Sequence, residues 1–187
     1  LTYQYQKNNT SNKIAKVTDG VPSPANGPKL GDFKDGANGS TDDYNHDANG
    51  NLLYDHNKGI SSIGYNHLNL PTVITVTGKG TITFTYDAAG KRLKKVIVDN
   101  STAGKTITIT TLYVEGFIYE SKQTVPANVP NDDYADELKS LPHEEGRIRF
   151  EKANPLTCPG QLNRFVYDYF IKDHVGNIRS VLTEQKE

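Results

Sequence analysis

The chain has 187 residues, and its 21 Lys and Arg nearly balance 22 Asp and Glu, so no net charge is available to recruit nucleic acid or anionic lipid. Only 35% of the residues are hydrophobic and mean hydropathy is −0.63, but 11 Tyr and 6 Phe argue against disorder. No run of 18 or more apolar residues predicts a membrane span, and the single Cys158 excludes an internal disulfide. Methionine is absent, so we expect a piece of a longer polypeptide whose export signal lies elsewhere.

The first part of the chain predicts strands separated by one long connection. Residues 1–19 open with the strand-like run Leu1–Tyr5. Residues 20–43 are rich in Pro and Gly and predict an irregular connection. Residues 44–123 predict a series of hairpins, because Thr81–Tyr86 and Thr106–Tyr113 alternate residue by residue between two faces.

The later part predicts fewer regular elements. Residues 124–164 predict an irregular connection, with a short helix over Asp132–Leu141 where apolar residues fall at helical spacing between two prolines. In residues 165–187 every second residue from Phe165 to Ile171 is apolar or aromatic, which predicts a strand. Strand patterns resume on both sides of each break, so we predict one domain over residues 1–187.

A short cassette recurs within the hairpin region. In its clearest copy an aromatic residue is followed by Asp and, three residues later, by Gly: Tyr86-Asp87-Ala88-Ala89-Gly90. Related copies lead with His46 and Tyr65, so the steps are 19 and 21 residues, a period typical of repeat architectures. The Asp or Asn is expected to accept backbone N–H groups inside the turn, and the Gly to supply a positive φ. The aromatic residues are expected to form a ladder across neighbouring cassettes.

These motifs resemble the Rhs/YD-repeat family of bacterial cell-surface and toxin-delivery proteins. Tyr86–Gly90 is similar to the family's Y-D-x-x-G signature, and Tyr65–Pro71 is similar to its YNxLNLP variant. Tyr169–Arg179, in the Rhs core-like terminal segment 165–187, resembles the Y-x-x-K-D-H-L-G-N-I/V-R segment of the Rhs repeat-associated core. The resemblance makes residues 1–19 a degenerate repeat. The motif residues, to which the resemblance gives a structural role, are Asp47, Gly50, Tyr65, Asn66, Leu68, Pro71, Tyr86, Asp87, Gly90, Tyr169, Lys172, Asp173, His174, Gly176, Asn177 and Arg179.

The resemblance implies an all-β fold in which successive antiparallel hairpins wind one continuous curved sheet, here a fragment of a larger β-shell. In the family that shell encloses a C-terminal effector or contributes to surface adhesion and contact-dependent competition. The family's Pro-Phe-Gly run and its Asp-Pro-Leu-Gly-like junction do not follow the Rhs-like segment before Glu187. No effector and no self-cleavage junction are therefore expected within these residues.

Candidate catalytic and metal-binding residues are few. His46, His56, His67, His143 and His174 lack the spacing of a metal site. Asp47–Asn51 begins like a calcium loop, but Leu52 and Lys58 stand where an EF-hand needs Gly and an acid. The adjacent carboxylate pairs Asp132-Asp133 and Glu144-Glu145 are expected to be solvated charges, and Cys158 a structural thiol. We therefore expect no enzyme, no cofactor and no metal.

Two functions remain as hypotheses. The first is a non-catalytic structural segment of an exported, extracellular or surface protein, which encapsulates or presents an effector. The alternative is a carbohydrate-binding adhesion module, in which tyrosine-rich sheets present flat rings to sugars. Expected partners are the rest of the same polypeptide, its effector, a surface glycan, or a second copy that pairs with an open sheet edge unless residues 20–43 cover that edge.

Overall fold

The computed structural model describes residues 1–20, 33, 41–129, 132–153 and 162–184. The chain is all-β, with 59% of residues in strands and 5% in helices. The helical part consists of a four-residue turn at Gln6–Asn9, in which Lys7 and Asn8 have left-handed dihedrals, and a 3₁₀ turn at His56–Lys58. The strands are β1 Thr2–Tyr5, β2 Ile14–Thr18, β3 Tyr44–His46, β4 Leu52–Asp55, β5 Ile60–Tyr65, β6 Pro71–Val76, β7 Gly80–Tyr86, β8 Arg92–Asp99, β9 Thr106–Val114, β10 Phe117–Val125, β11 Tyr134–His143, β12 Gly146–Glu151, β13 Arg164–Lys172 and β14 Ile178–Thr183.

Twelve strands form one antiparallel sheet whose spatial order is the order of the chain, from β3 at one edge to β14 at the other. Each inner strand pairs with the strand before it and the strand after it. The predicted all-β class and the succession of hairpins in one continuous sheet are confirmed. Because direction alternates, all turns that follow odd-numbered strands lie at one end of the strands, which we call the cassette end.

The hairpin β1–β2 meets the β3 edge of this sheet through Asp43, which is fully buried. The Asp43 N–H donates to Ala15 O at 2.8 Å, and its carboxylate Oδ2 accepts the Val17 N–H at 2.7 Å. Its carbonyl accepts the His56 N–H at 2.9 Å. Asp43 thus helps to join the hairpin of residues 1–19 to the larger sheet, together with the bonds from Gln6 to Asn45 and from Lys13 to Asp47 O. The predicted covering of an edge by residues 20–43 falls mostly outside the described residues.

A straight ladder of isoleucines crosses five strands of the sheet. Five residues on β5 to β9 lie directly opposite one another in register, which brings their β-branched side chains together on one face. We call this face the ladder face and the other the reverse face. The ladder consists of Ile63, Ile74, Ile82, Ile97 and Ile109.

The two faces exchange polarity along the sheet. On β7 to β10 the reverse face carries the register row Thr83, Val96, Thr110 and Ser121. On β12 to β14 the ladder face carries charged groups around Asp168, while Leu141, Ile148 and Tyr167 form an apolar row on the reverse face. The sheet therefore presents apolar surface on opposite sides in its two halves.

Few hydrophobic side chains are buried. Within the described residues these are Ala15, Val17 and Val166. The isoleucines of the ladder are half-buried, and the hydrophobic residues of β14 are exposed. Such a surface is typical of a sheet that buries its faces against further protein.

The predicted irregular connection over 124–164 is wrong where β11 and β12 run through it, and the predicted helix over Asp132–Leu141 is wrong because β11 takes its place. Residues 130–131 and 154–161 of that connection lie outside the described residues. The register between β10 and β11 shifts twice, so two bulges interrupt the two-residue alternation on β11. This interruption is what gave the segment its apparent helical spacing. Pro142 is tolerated because its ring lies against Gly116 in the β9–β10 turn, where β10 has not yet begun.

Candidate functional site

The cassette end of the sheet holds four turns of one design. Each turn starts with an Asp or Asn that directly follows the last residue of an odd-numbered strand, and the turn closes four residues later. The N–H of the first residue donates to the carbonyl oxygen of the fifth residue, at 3.0 Å in the turn 66–70 and at 2.9 Å in the other three turns. The four turns are residues 47–51, 66–70, 87–91 and 173–177.

The side chain of the first residue closes each turn from inside. The Asp87 carboxylate Oδ1 accepts the N–H groups of Ala89 and Lys91 at 2.9 and 2.8 Å. The Asn66 amide oxygen accepts those of Leu68 and Leu70, both at 3.0 Å. This is the Asx-type capping expected from the sequence.

Asp47 and Asp173 act in the same way and also bind their own turn's Asn. Asp47 accepts the Asn51 N–H at 2.8 Å and its side-chain amide at 2.9 Å. The hydrogen bond from the Asn51 side chain is the main reason why the pKa of Asp47 lies below its ordinary value. Asp173 accepts the Asn177 N–H at 2.9 Å and the Val175 N–H at 3.0 Å. These carboxylates hold backbone, so the calcium-like start at Asp47 is used by the turn itself.

The fourth residue of each turn needs a positive φ. Gly50, Gly90 and Gly176 have φ of 91°, 85° and 88°. In the turn 66–70 this place is taken by Asn69 with φ of 58°, which Asn tolerates better than most residues.

Consecutive cassettes are clamped by their tyrosines. The Tyr65 hydroxyl donates to Leu52 O at 2.8 Å, and the Tyr86 hydroxyl donates to Pro71 O at 3.0 Å. In both cases the acceptor is the first residue of the return strand in the preceding hairpin. Burial of the Tyr65 ring, followed by the nearby Asp47 charge, raises the pKa of its hydroxyl, which keeps the donor proton in place.

The predicted aromatic ladder across neighbouring cassettes is wrong. Tyr65 and Tyr86 lie on β5 and β7, which are separated by β6 and hence by about 9–10 Å. Rings at that distance cannot stack, so the tyrosines connect cassettes through hydroxyl-to-backbone hydrogen bonds.

Neighbouring turns also touch one another. The side-chain amides of Asn49 and Asn51 donate to Asn69 Oδ1 at 2.9 and 2.8 Å. At the next step, a side chain at Gly90 would meet Leu70 Cδ1 at 3.1 Å and Leu68 Cδ1 at 3.4 Å. The first three turns therefore stack along the cassette end as a continuous row.

The terminal motif forms the fourth turn. Lys172 closes β13, and exposed His174 lies inside the turn. Arg179 on β14 reaches back to Asp173 Oδ2, with Nε at 2.8 Å and Nη2 at 2.7 Å. Partial burial raises the pKa of Asp173, but the hydrogen bonds from Asn177 and Arg179 outweigh it, so that the pKa lies below its ordinary value. Tyr169 is separate from this turn and lies on the reverse face of β13.

Among the described residues of the C-terminal half, sequence reasoning missed the most buried charge, Asp168 on β13, which is 1% exposed. Its Oδ2 accepts from Arg147 Nε at 2.8 Å and Arg149 Nε at 2.5 Å, and its Oδ1 accepts from Arg149 Nη2 at 3.0 Å. The Thr183 hydroxyl on β14 also donates to Oδ1, at 2.9 Å. One carboxylate thereby joins β12, β13 and β14. These hydrogen bonds, above all from Arg149, hold the pKa of Asp168 far below its ordinary value.

An aromatic strip lies on the reverse face at the same place. The Tyr167 and Tyr169 rings are 6.3 Å apart and nearly parallel, at 18°. They are 40% and 45% exposed. The His143 ring stands edge-on to both, at 5.8 and 5.5 Å, because Gly146 between it and Tyr169 has no side chain. His143 Nδ1 accepts the Glu145 N–H at 3.2 Å, which places the proton of the neutral ring on Nε2.

The remaining candidates for chemistry are occupied by structural contacts. His56 stacks on Tyr54 at 4.3 Å and its Nδ1 bonds Asp42 O, while burial lowers the pKa of His46 beside Gln6. Asp132 pairs with Lys122 at 2.5 Å, and Asp133 accepts the Thr124 N–H. Glu144 and Glu145 are exposed in the β11–β12 turn. Cys158 lies outside the described residues.

Within residues 1–20, 33, 41–129, 132–153 and 162–184, no three His, Cys, Asp or Glu side chains group so as to hold a metal ion. In the same ranges no helix has both the length and the apolar character needed to cross a membrane.

Comparison with known proteins gave no match to a family model, a curated protein or a solved structure. The assignment of function therefore depends on the geometry of the sheet and its turns.

The tyrosine clamp gives a direct test of cassette coupling. Tyr65→Phe should lower the free energy of unfolding by about 1 kcal/mol, because it removes one partly buried hydrogen bond and leaves Leu52 O without its donor. Chemical denaturation followed by circular dichroism measures this change. Tyr169→Phe is the matched control, since its exposed ring lies on the strip, and it should change stability little. Equal losses in the two variants would contradict the clamp.

Proposed function

We propose that this chain is a non-catalytic structural segment of an exported Rhs-type protein, in which it contributes to a curved β-shell that encapsulates or presents an effector. One observation carries the proposal. Successive hairpins are joined in chain order, with the same Asx-capped turn and the same tyrosine-to-backbone bond repeated from one cassette to the next.

The energetics of the sheet support this role. Each hairpin makes its contacts with the hairpin before it and the hairpin after it, which is how repeat proteins add stability unit by unit. The hydrophobic side chains stay half-buried or exposed on both faces, as expected of a wall whose surfaces meet other parts of a larger assembly. The polar side chains that make the most hydrogen bonds make them to backbone groups or to side chains of neighbouring strands.

Electron microscopy of the native polypeptide that contains these residues tests the proposal. A hollow or elongated β-structure with material inside it is the expected result. A compact globule with a helical core would contradict the proposal. Limited proteolysis adds a second measurement. A substitution that opens the sheet should expose an enclosed segment to cleavage, whereas a matched substitution that leaves the sheet intact should not.

The aromatic strip favours a second candidate function, a surface glycan-binding module. The exposed, nearly parallel rings of Tyr167 and Tyr169 offer flat apolar surfaces with polar edges, and the C–H face of a pyranose ring packs on such surfaces. The cassette tyrosines do not serve this purpose, because they are half-buried and their hydroxyls are bonded to backbone.

A glycan array tests this second candidate. If the strip binds sugar, Tyr167→Ala and Tyr169→Ala should each abolish the signal that the unchanged chain gives. Tyr3→Ala should retain it, since Tyr3 is 50% exposed but lies on β1, which belongs to the separate two-stranded sheet and not to the sheet that carries the strip. No signal from the unchanged chain, or equal loss in all three variants, would remove the candidate.

A further inference from the structure

The outer edge of β14 is open in the described part of the chain. β14 is the last strand in the sheet order, and among the described residues only β13 pairs with it. All six of its residues are exposed, and Ile178, Val181 and Leu182 are exposed by 50%, 44% and 56%. Unpaired backbone groups beside exposed apolar side chains form a surface that fits another β-strand.

The hydrogen-bond pattern shows which backbone groups are available. Glu184 N–H donates to Tyr167 O at 2.9 Å, and Leu182 lies opposite Tyr169 in the same register. Antiparallel pairs alternate between hydrogen-bonded and non-hydrogen-bonded positions, so Ser180 and Leu182 direct their backbone groups to β13. Val181 and Thr183 therefore direct theirs outward.

β14 lacks the devices that usually protect an edge. It contains neither Pro nor Gly, and its one charged residue is Arg179. The Arg179 guanidinium is drawn back to Asp173 Oδ2 at 2.7 Å, so its charge is paired within its own hairpin. A charged side chain that is already paired repels a neighbouring strand weakly.

At the β3 end of the sheet, where the β1–β2 hairpin packs through Asp43, strand β1 is less suited to pairing. β1 has four residues, and its Tyr5 N–H is already bonded to the Asn9 side chain at 2.6 Å. Head-to-tail pairing of β14 with β1 of another copy would also build an open filament, whereas pairing of β14 with itself closes in a two-fold dimer.

We propose that β14 is a dimerisation strand, which pairs antiparallel with β14 of a second copy of this chain about a two-fold axis at Val181. In this register Val181 lies opposite Val181 of the second copy as a hydrogen-bonded pair, and Arg179 lies opposite Thr183. Ser180 then lies opposite Leu182 on the reverse face. The dimer uses the edge of β14 that is open among the described residues, and its argument does not depend on the proposed shell function.

Charge exchange at Val181 tests this register. Residues at a hydrogen-bonded antiparallel position have Cα atoms about 5.5 Å apart, so like charges at position 181 oppose one another directly. Sedimentation velocity of the full 187-residue chain should show a dimer for the unchanged protein, and a monomer for Val181→Lys alone and for Val181→Asp alone. An equimolar mixture of these two variants should restore the dimer.

Val175→Lys adds the same charge in the neighbouring turn, where Val175 is 67% exposed, and should remain dimeric. Circular dichroism establishes that each variant is folded. A monomer for the unchanged chain up to its solubility limit, a dimer that survives Val181→Lys, or a mixture that stays monomeric would each overturn the proposal.

Discussion

Replacement of Asp168 by Asn should lower the free energy of unfolding by about 3 kcal/mol, the largest loss expected from a single charge in the described part of the chain. Removing one member of a buried ion pair is costly because its partners remain without a counter-charge. Here Arg147 and Arg149 would lose the carboxylate charge, and the single oxygen of the Asn amide cannot accept from both arginines and from Thr183 as the two carboxylate oxygens do. Partial exposure of the two arginines allows water to recover some of this loss.

Urea denaturation measures the change, with Glu144→Gln as the control. Glu144 is an exposed acid in the turn between β11 and β12, so its replacement removes the same charge without opening a buried pair. The control should change stability by less than about 0.5 kcal/mol. Similar losses in both variants would show that net charge, and not the Asp168 pair, determines the stability of this part of the sheet.

The lowered pKa of Asp168 adds a pH dependence with a definite sign. A carboxylate whose folded pKa is below its unfolded value stabilises the fold fully above the unfolded pKa, and this contribution is lost as pH falls toward the folded pKa. The pKa of Asp168 is lowered from 3.8. The difference in unfolding free energy between the unchanged protein and Asp168→Asn should therefore be constant from neutral pH to about pH 5 and should shrink below about pH 4. A difference that grows on acidification would contradict the pairing.

Local chemistry explains what the sequence predicted well. The Asx-capped turns depend on residues within five positions of one another, so Asp87 and Gly90 could be assigned their roles from the sequence alone. The strands that alternate cleanly, such as Thr106–Val114, were found for the same reason. The sheet order followed because short hairpins join strands that are consecutive in the chain.

Features that depend on cross-strand register were missed. Asp168 has no signature in its own strand, since its role appears only when Arg147 and Arg149 of β12 lie beside it. β11 was mistaken for a helix because two bulges against β10 break its alternation. A bulge is set by the pairing partner, and the sequence of one strand does not contain that information. The tyrosine clamps were missed because their acceptors are backbone carbonyls of the preceding hairpin.

Two glycines where β6 turns into β7, Gly78 in the turn and Gly80 at the start of β7, give the sharpest test of the sheet itself. In Gly80, φ is 132°, and an added Cβ would lie 1.9 Å from Val98 O of the neighbouring strand β8. Backbone cannot be moved aside as a side chain can, so Gly80→Ala should separate β7 from β8 at this point and cost at least about 3 kcal/mol. The pairing of Gly80 with Asp99 and with Val76 would be lost together.

Gly78→Ala in the same turn separates this clash from ordinary backbone strain. Gly78 has φ of 68°, but a Cβ there meets nothing within 4 Å. Its replacement should cost about 1 kcal/mol, the penalty for an alanine in the left-handed region. Amide hydrogen exchange should show loss of protection along β7 and β8 in Gly80→Ala and near-normal protection in Gly78→Ala. If both variants lose the same stability, the close approach of β8 to Gly80 is absent in solution, and the edge-to-edge packing of hairpins on which the shell proposal depends loses its support at the centre of the sheet.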